Sequence, residues 1–250
     1  MRPSWPIGTR FLVEIAGVRS TWQLGHEADL ERRVLSLEAP LAGALLTALP
    51  DEPFSFKGPK GVVEGKLLGV EHPDGPDGLE RVLHSLRLMR HIQAKIAAKK
   101  VLSLSEKDYL TGLAEHGLLA EALENEFALT RDTLAAAMAS SAWRKAGQPL
   151  KALRATEGVE DPHPTRMAML LTTRGAALLD IGDLEGAEQW ARRAMELAPS
   201  SHYPRNLLGR VLMQRGQVKE ALRAFEEAQK FAPSQALGAD LLGQRGVGEL

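Results

Sequence analysis

The chain has 250 residues, with 31 basic and 32 acidic side chains, 44% hydrophobic residues and no cysteine. This balance of charged and apolar residues excludes wholesale disorder, and the lack of cysteine excludes disulfides, cysteine–zinc sites and thiol catalysis. The net charge of −1 gives no general attraction to nucleic acid or anionic lipid. No apolar run is long enough to cross a membrane and the start lacks a signal peptide, so we expect a cytoplasmic protein without a membrane partner.

The composition changes along the chain, which predicts two domains. Residues 1–77 contain six alanines, whereas residues 101–250 contain 25. Because alanine is the best helix former, we expect an α+β protein with a strand-rich first part and an all-helical second part. Turn-forming residues are concentrated just before residue 78, and we place the boundary there. The predicted division is a β domain at 1–77, a linker helix at 78–100 and helical repeats at 101–250.

The first domain is predicted to be a small antiparallel sheet with one short helix. Alternating apolar residues predict strands near 11–15, 20–24, 34–37, 54–56 and 62–70. Pro40 is suited to the first turn of a helix that runs to about Leu49. Gly58-Pro59-Lys60-Gly61 predicts a tight hairpin between the last two strands.

Two segments of this domain carry a family pattern. Glu27-Ala28-Asp29 is followed by a strand ending in Leu35-Ser36, and Pro40 then opens a helix reading Ala-x-Ala-Leu-Leu. This pattern resembles the C-terminal domain of bacterial Gre transcript cleavage factors, over about residues 5–72. The resemblance implies an FKBP-like fold that docks on a coiled coil of the largest RNA polymerase subunit, near the secondary channel. The docking residues that it implies are Ser36, Glu38, Pro40 and Leu41.

The chain also departs from the Gre pattern. The acidic N-terminal helical hairpin of that family has no counterpart before residue 5, and the helix after the domain is basic, so we expect no transcript cleavage. In the docking region, Ala39 replaces a usual serine, Gly43 a usual arginine and Ala48 a usual lysine. Thr47 and Asp51 replace usual glycines. These replacements remove residues that are usual in the docking region, so the affinity for polymerase is expected to differ from that of Gre factors.

An amphipathic helix is predicted from about Gly78 to Lys100, with a basic face. Arg87, His91 and Lys95 line that face at helical spacing. One interpretation is an ordinary solvated face of a connecting helix. The other is a contact with an acidic partner or a nucleic-acid backbone, without sequence-specific recognition of nucleic acid.

The second domain repeats itself with a period of 34 residues. Five small or turn-forming residues recur at that offset: Gly175, Gly182, Ala187, Ala194 and Pro199 return as Gly209, Gly216, Ala221, Ala228 and Pro233. This pattern resembles the tetratricopeptide repeat, a pair of antiparallel helices, most clearly at 168–201 and 202–235. A weaker copy lies 35 residues upstream. Gln235 to Gly243 is predicted to form a capping helix.

The repeat resemblance implies a groove that is lined by the first helix of each pair and binds a protein or peptide. The residues predicted to line it are Thr172, Ala176, Leu179, Tyr203, Asn206 and Arg210. Asn206 and Arg210 lie one helical turn apart, which suits a carboxylate or a backbone carbonyl. The alternative is that these side chains are simply solvated.

We find no sequence signature of catalysis, a metal site or a cofactor site. The seven histidines form no zinc-binding pair, and no phosphate-binding loop or nucleophile elbow is present. The tryptophans are expected to be core or groove anchors. We therefore expect a non-catalytic transcription regulator that docks on RNA polymerase and binds a second protein through its repeats. The alternative is a general adaptor or co-chaperone with an FKBP-like domain that does not act on polymerase.

Overall fold

The computed structural model describes residues 5–231. The chain divides into two compact units, with the division between Ala94 and Lys95. The division falls within a long helix, α2 (Gly75–Ala97), which occupies the position predicted for the linker helix. Each unit has its own hydrophobic core.

The first unit is built on five strands, with a short helix between the third and the fourth. These elements are β1 (Arg10–Ile15), β2 (Val18–Gly25), β3 (Val34–Ser36), α1 (Pro40–Leu45), β4 (Pro53–Gly58) and β5 (Gly61–Glu71). Every second side chain of a strand faces the same side, which explains the alternating apolar residues of these segments. Pro40 lies in the first turn of α1, where a missing N–H leaves no hydrogen bond unmade.

The sheet is mixed, whereas the sequence predicted an antiparallel sheet. Its strand order is β3-β2-β1-β5-β4, and β2 pairs with β3 in parallel, with Leu24 opposite Leu35. The reason is the path of the chain after β2. An antiparallel bridge between Asp29 and Val34, with Arg33 at a φ of 57°, turns the chain back so that β3 runs in the direction of β2. The other pairs are antiparallel.

The core of the first unit lies between the sheet, α1 and the first part of α2. Its largest fully buried side chains include Trp5, Phe11, Leu24, Leu45 and Leu67. Leu83 and Leu86 of α2 belong to the same core. The burial of one such side chain contributes about 1.5–3 kcal/mol, so these contacts hold α2 against the sheet.

The second unit consists of helices. After the end of α2 these are α3 (Leu104–Gly112), α4 (His116–Thr130), α5 (Thr133–Lys145), α6 (Pro149–Ala155), α7 (Pro164–Asp180), α8 (Leu184–Leu197), α9 (Tyr203–Gln214) and α10 (Val218–Gln229). Side-chain caps start several of them, such as Asp183, whose carboxylate accepts a hydrogen bond from the backbone N–H of Gly186. These helices, together with the sheet of the first unit, confirm the predicted α+β class with a helical repeat region.

The predicted repeats correspond to pairs of adjacent helices. Helix α7 packs against α8, α8 against α9, and α9 against α10. Gly182 and Gly216 form the turns inside the two pairs, with φ values of 86° and 78° that favour glycine. Gly175 is buried where α7 meets α8. The site has little room for a side chain, because a Cβ there would lie 3.2 Å from the backbone oxygen of Ala187.

Part of the sequence prediction lies beyond the described residues. The capping helix predicted at Gln235–Gly243 is outside residues 5–231. Within these residues, no helix combines the length and the apolar character that a bilayer span requires.

Candidate protein-binding face of the helical repeats

Helices α5, α7 and α9 are the first helices of the pairs α5–α6, α7–α8 and α9–α10, and they form a shared surface. Helix α5 packs against α7, and α7 packs against α9. On α9, side chains that remain at least partly exposed recur at three- and four-residue steps, as expected for one face of a helix, and α5 and α7 add further exposed side chains beside them. We call this surface the first-helix face and define it by Leu134, Met138, Arg144, Met169, Asp180, Tyr203, Asn206, Arg210 and Met213.

An ion-pair row connects the three first helices. The guanidinium of Arg144 donates to the Asp180 carboxylate from Nε at 2.6 Å and from Nη2 at 3.2 Å. Arg210 Nη2 lies 3.7 Å from Oδ1 of the same carboxylate. The Arg144 and Asp180 side chains are 19% and 27% exposed, so water screens this pair less than a fully exposed one. Arg144 and Arg210 both approach the Asp180 carboxylate, so this row of charges links the three helices.

Large apolar side chains on this face are open to solvent. Tyr203 is 59% exposed, Met138 46%, Met213 42% and Leu134 37%. The ring of Tyr203 lies against that of His202, with 3.9 Å between the centroids. Aromatic and methionine side chains in such positions are typical of surfaces that bind proteins.

The residues predicted to line the groove divide into two groups. Tyr203, Asn206 and Arg210 all lie on the first-helix face and are at least partly exposed. Leu179 instead is 2% exposed and packs in the core, so it has no surface to offer a partner. The reason is geometric, because Leu179 points into the interface between α7 and α9 rather than out of it.

Thr172 and Ala176, two smaller residues predicted to line the groove, make contacts within the fold. Thr172 donates its hydroxyl hydrogen to the backbone oxygen of Ala168 at 2.7 Å, within its own helix. Ala176 is buried in the same core as Leu179. Sequence reasoning overlooked the other members of the first-helix face, which are Leu134, Met138, Arg144, Met169, Asp180 and Met213. The available signal was the offset of 34–35 residues that aligns Leu134 with Met169 and Tyr203.

The basic face of α2 is partly neutralised inside the fold. Lys95 Nζ lies 2.7 and 3.0 Å from the two carboxylate oxygens of Glu106. The hydrogen bond from Lys95 lowers the pKa of Glu106 below its usual value of 4.5. Arg87 lies 3.9 Å from Glu80, and His91 is exposed. Within the described residues, the predicted charges of this face therefore serve partly as intramolecular ion pairs.

The residues implied by the Gre resemblance lie around the start of α1. Glu38 and Pro40 are exposed, and Ser36 is half-buried at the end of β3. Leu41 is buried in the core of the first unit and therefore is not available for docking. Leu37, which the sequence analysis did not single out, is exposed beside Glu38.

The described residues contain no group of three or more histidine, aspartate or glutamate side chains arranged to hold a metal ion. Glu52 and Glu188 have lowered pKa values, but in each case the largest cause is a hydrogen bond from an arginine, Arg90 for Glu52 and Arg192 for Glu188. These carboxylates are ion-pair partners in the fold.

Comparison with known proteins gives one family match, a tetratricopeptide repeat at residues 204–235. Among solved structures, the MamA fragment "41-end" from Desulfovibrio magneticus RS-1 is 19% identical, with a TM-score of 0.44 over 62% of this chain and 86% of that one. A further crystal structure of MamA is 17% identical, with a TM-score of 0.42 over 58% of this chain and 86% of that one.

No curated protein matches the sequence. Neither the family match nor these structural neighbours support a Gre factor C-terminal domain, and the FKBP-like identity of the sheet stays a prediction. The matched residues include α9 from its second residue, Pro204, and the whole of α10. The second unit therefore contains a tetratricopeptide repeat at residues 204–235.

Proposed function

We propose that this protein is a non-catalytic adaptor that binds a segment of a partner protein on its first-helix face. The observation that carries the proposal is the tetratricopeptide repeat at residues 204–235, on a surface where three neighbouring first helices expose apolar and cationic side chains. Repeats of this kind stack helices side by side and offer extended surfaces for binding.

The apolar part of the face supplies the binding energy in this proposal. Tyr203 and Met213 are exposed on α9, and Met138 is exposed on α5. Removal of apolar surface from water contributes about 25 cal/mol for each Å², and a few central side chains dominate most interfaces. Tyr203 is the strongest candidate for such a role because its ring is large and rigid.

The polar part of the face selects the partner. Arg210 follows Asn206 by four residues on α9, so both side chains lie on the same side of that helix. A guanidinium and an amide at this spacing suit a carboxylate or a backbone carbonyl of a bound segment.

The proposal is tested by affinity capture with the full chain, followed by mass spectrometry. The Tyr203→Ala, Met213→Ala double variant removes apolar surface from the first-helix face. A matched control, Val218→Ala with Leu222→Ala, removes exposed apolar surface from α10. We expect a protein that the wild type and the control capture equally and that the first-helix variant loses. Equal capture by all three proteins would refute the proposal.

A second candidate function, docking on RNA polymerase near its secondary channel, rests on the first unit. The exposed position of Glu38 and Pro40 at the start of α1 supports it, together with the sequence pattern that resembles Gre factors. The test is a pull-down of RNA polymerase from bacterial extract with the wild type and the Glu38→Arg, Pro40→Ala double variant. Polymerase retained by the wild type alone would support docking, and its absence from both samples would exclude it.

The alternative adaptor is a co-chaperone whose first unit is FKBP-like and does not act on polymerase. It differs from the docking hypothesis in what the first unit does, and it leaves the first-helix face as the partner site. A prolyl isomerase assay with a short proline-containing peptide addresses the enzymatic possibility, and we expect no activity. Catalysis by the full chain would contradict the non-catalytic part of the proposal.

A further inference from the structure

One helix of the repeat region is much shorter than its equivalents. Helix α6 has 7 residues, whereas α8 and α10, which are also second helices of their pairs, have 14 and 12. The chain leaves α6 after Ala155 and runs through residues 156–163 before α7 begins at Pro164. Residues 156–163 therefore take the place of the later turns that α8 and α10 have.

Arg174 contacts the C-terminal end of α6. Arg174 of α7 donates from Nη1 to the backbone oxygen of Thr156 at 3.3 Å, next to the C-terminal end of α6. A cation is favourable there because the last carbonyl groups of a helix carry partial negative charge. The same guanidinium lies 5.5 Å from the ring centroid of Trp190 on α8, a cation–π contact.

Two cavities open beside this contact, and both are lined by Arg174 and Trp190. The first has a volume of about 150 Å³ and apolar walls that include Val159, Met167 and Leu171. The second has a volume of about 380 Å³ and includes Leu178. We call the two cavities together the Trp190 notch. An apolar cavity near 150 Å³ is large enough to hold a benzene-sized group.

The rim of the Trp190 notch is acidic. Glu157 and Glu160 line it, are exposed and form no ion pair with any of residues 5–231. Asp183 contributes a third carboxylate, which also caps α8. Arg154 and Arg174 are the two cations that line the cavities, so three carboxylates face two guanidinium groups. The rim therefore has more negative than positive charge.

We propose that the Trp190 notch is a second protein-binding site, separate from the first-helix face. It binds a peptide segment of a partner protein that presents one apolar side chain of leucine or phenylalanine size, flanked by lysine or arginine. The apolar side chain enters the cavity against the indole ring of Trp190. The flanking cations lie near Glu157 and Glu160, which selects against acidic segments.

The test uses a phage-displayed library of random dodecapeptides, panned on the full chain. A Glu157→Lys, Glu160→Lys variant reverses the charge of the rim, and a Glu226→Lys, Glu227→Lys variant makes the same charge change on exposed residues of α10. We expect peptides that are enriched on the wild type and on the α10 variant but lost on the rim variant. Their shared motif should be a large apolar residue next to lysine or arginine.

A selected peptide, labelled with a fluorophore, then measures the affinity. We expect the rim variant to weaken binding about tenfold, since two favourable charge contacts become unfavourable. Val159→Trp, which fills the smaller cavity, should abolish binding while circular dichroism shows an unchanged helix content. The proposal is overturned if no peptide distinguishes the rim variant from the α10 variant, or if the peptides that do are acidic or lack an apolar residue.

Discussion

The substitution Gly209→Ala tests whether close packing between α9 and α10 determines the stability of the repeat. A Cβ at this position would lie 2.6–2.8 Å from the Cε1, Cδ1 and Cζ atoms of the Phe225 ring. Distances this short require the ring or the helix to move. Insertion of a methyl group into such a contact costs about 1–3 kcal/mol.

An opposing contribution comes from the helix itself. Alanine in place of glycine inside a helix stabilises it by about 0.5–1 kcal/mol. The middle of the steric range exceeds the middle of the helix range by about 1 kcal/mol, so we expect Gly209→Ala to lower the free energy of unfolding by about 1 kcal/mol. Urea unfolding of the full chain, followed by far-ultraviolet circular dichroism, measures the change. A variant as stable as the wild type, or more stable, would refute the reasoning.

Two further variants separate the steric cause from other effects. Gly112 lies at the end of α3 with nothing within 4 Å of a built Cβ, so Gly112→Ala should leave stability unchanged or raise it. Gly209→Ala should cost less in a Phe225→Leu background, because the smaller side chain leaves room for the methyl group. An unchanged cost in that background would exclude the ring contact as the cause.

The remaining predictions concern ion pairs. Asp180→Asn should lower the free energy of unfolding by about 1–2 kcal/mol in a urea titration, because Arg144 and Arg210 lose their shared carboxylate. Lys95 lowers the pKa of Glu106 below 4.5, so the stability that this pair contributes is complete above pH 4.5 and is lost as the pH falls through the lowered pKa. Melting temperatures of Glu106→Gln should therefore fall less steeply with acidification than those of the wild type.

Each ion-pair prediction has a control. Asp108→Asn changes an exposed aspartate of α3 and should leave the unfolding free energy within about 0.5 kcal/mol of the wild type. An equal effect of Asp180→Asn and Asp108→Asn would contradict a specific role for the ion-pair row. Parallel pH profiles for Glu106→Gln and the wild type would contradict the role given to Glu106.

Local patterns in the sequence predicted much of the fold. The 34-residue period placed Gly182 and Gly216 in the turns of two helix pairs, because only a short turn with a positive φ connects antiparallel helices so tightly. The alternation of apolar residues located the strands of the first unit, since one face of each is covered by the core. Pro40 was placed correctly at the start of α1.

Pairing and burial were harder to predict because they depend on residues far apart in the chain. The direction of β3 follows from the bridge between Asp29 and Val34, a contact that strand periodicity does not reveal. Leu179 has the spacing of a groove residue, but the approach of α9 buries it. Periodicity identifies the face of a helix only approximately, whereas the neighbouring helix decides which side chains at its edge remain exposed.

The sequence by itself determined the change from a strand-rich to a helical part, the helix pairs and the lack of cysteine chemistry, because these depend on composition and short-range spacing. Only the tertiary structure decided which side chains form the first-helix face and where the Trp190 notch lies. The ion-pair row from Arg144 through Asp180 to Arg210 joins three helices whose residues are 30 or more positions apart. The notch exists because α6 stops early and Arg174, from the next helix, binds its end. Both features depend on distances between helices, which only packing defines.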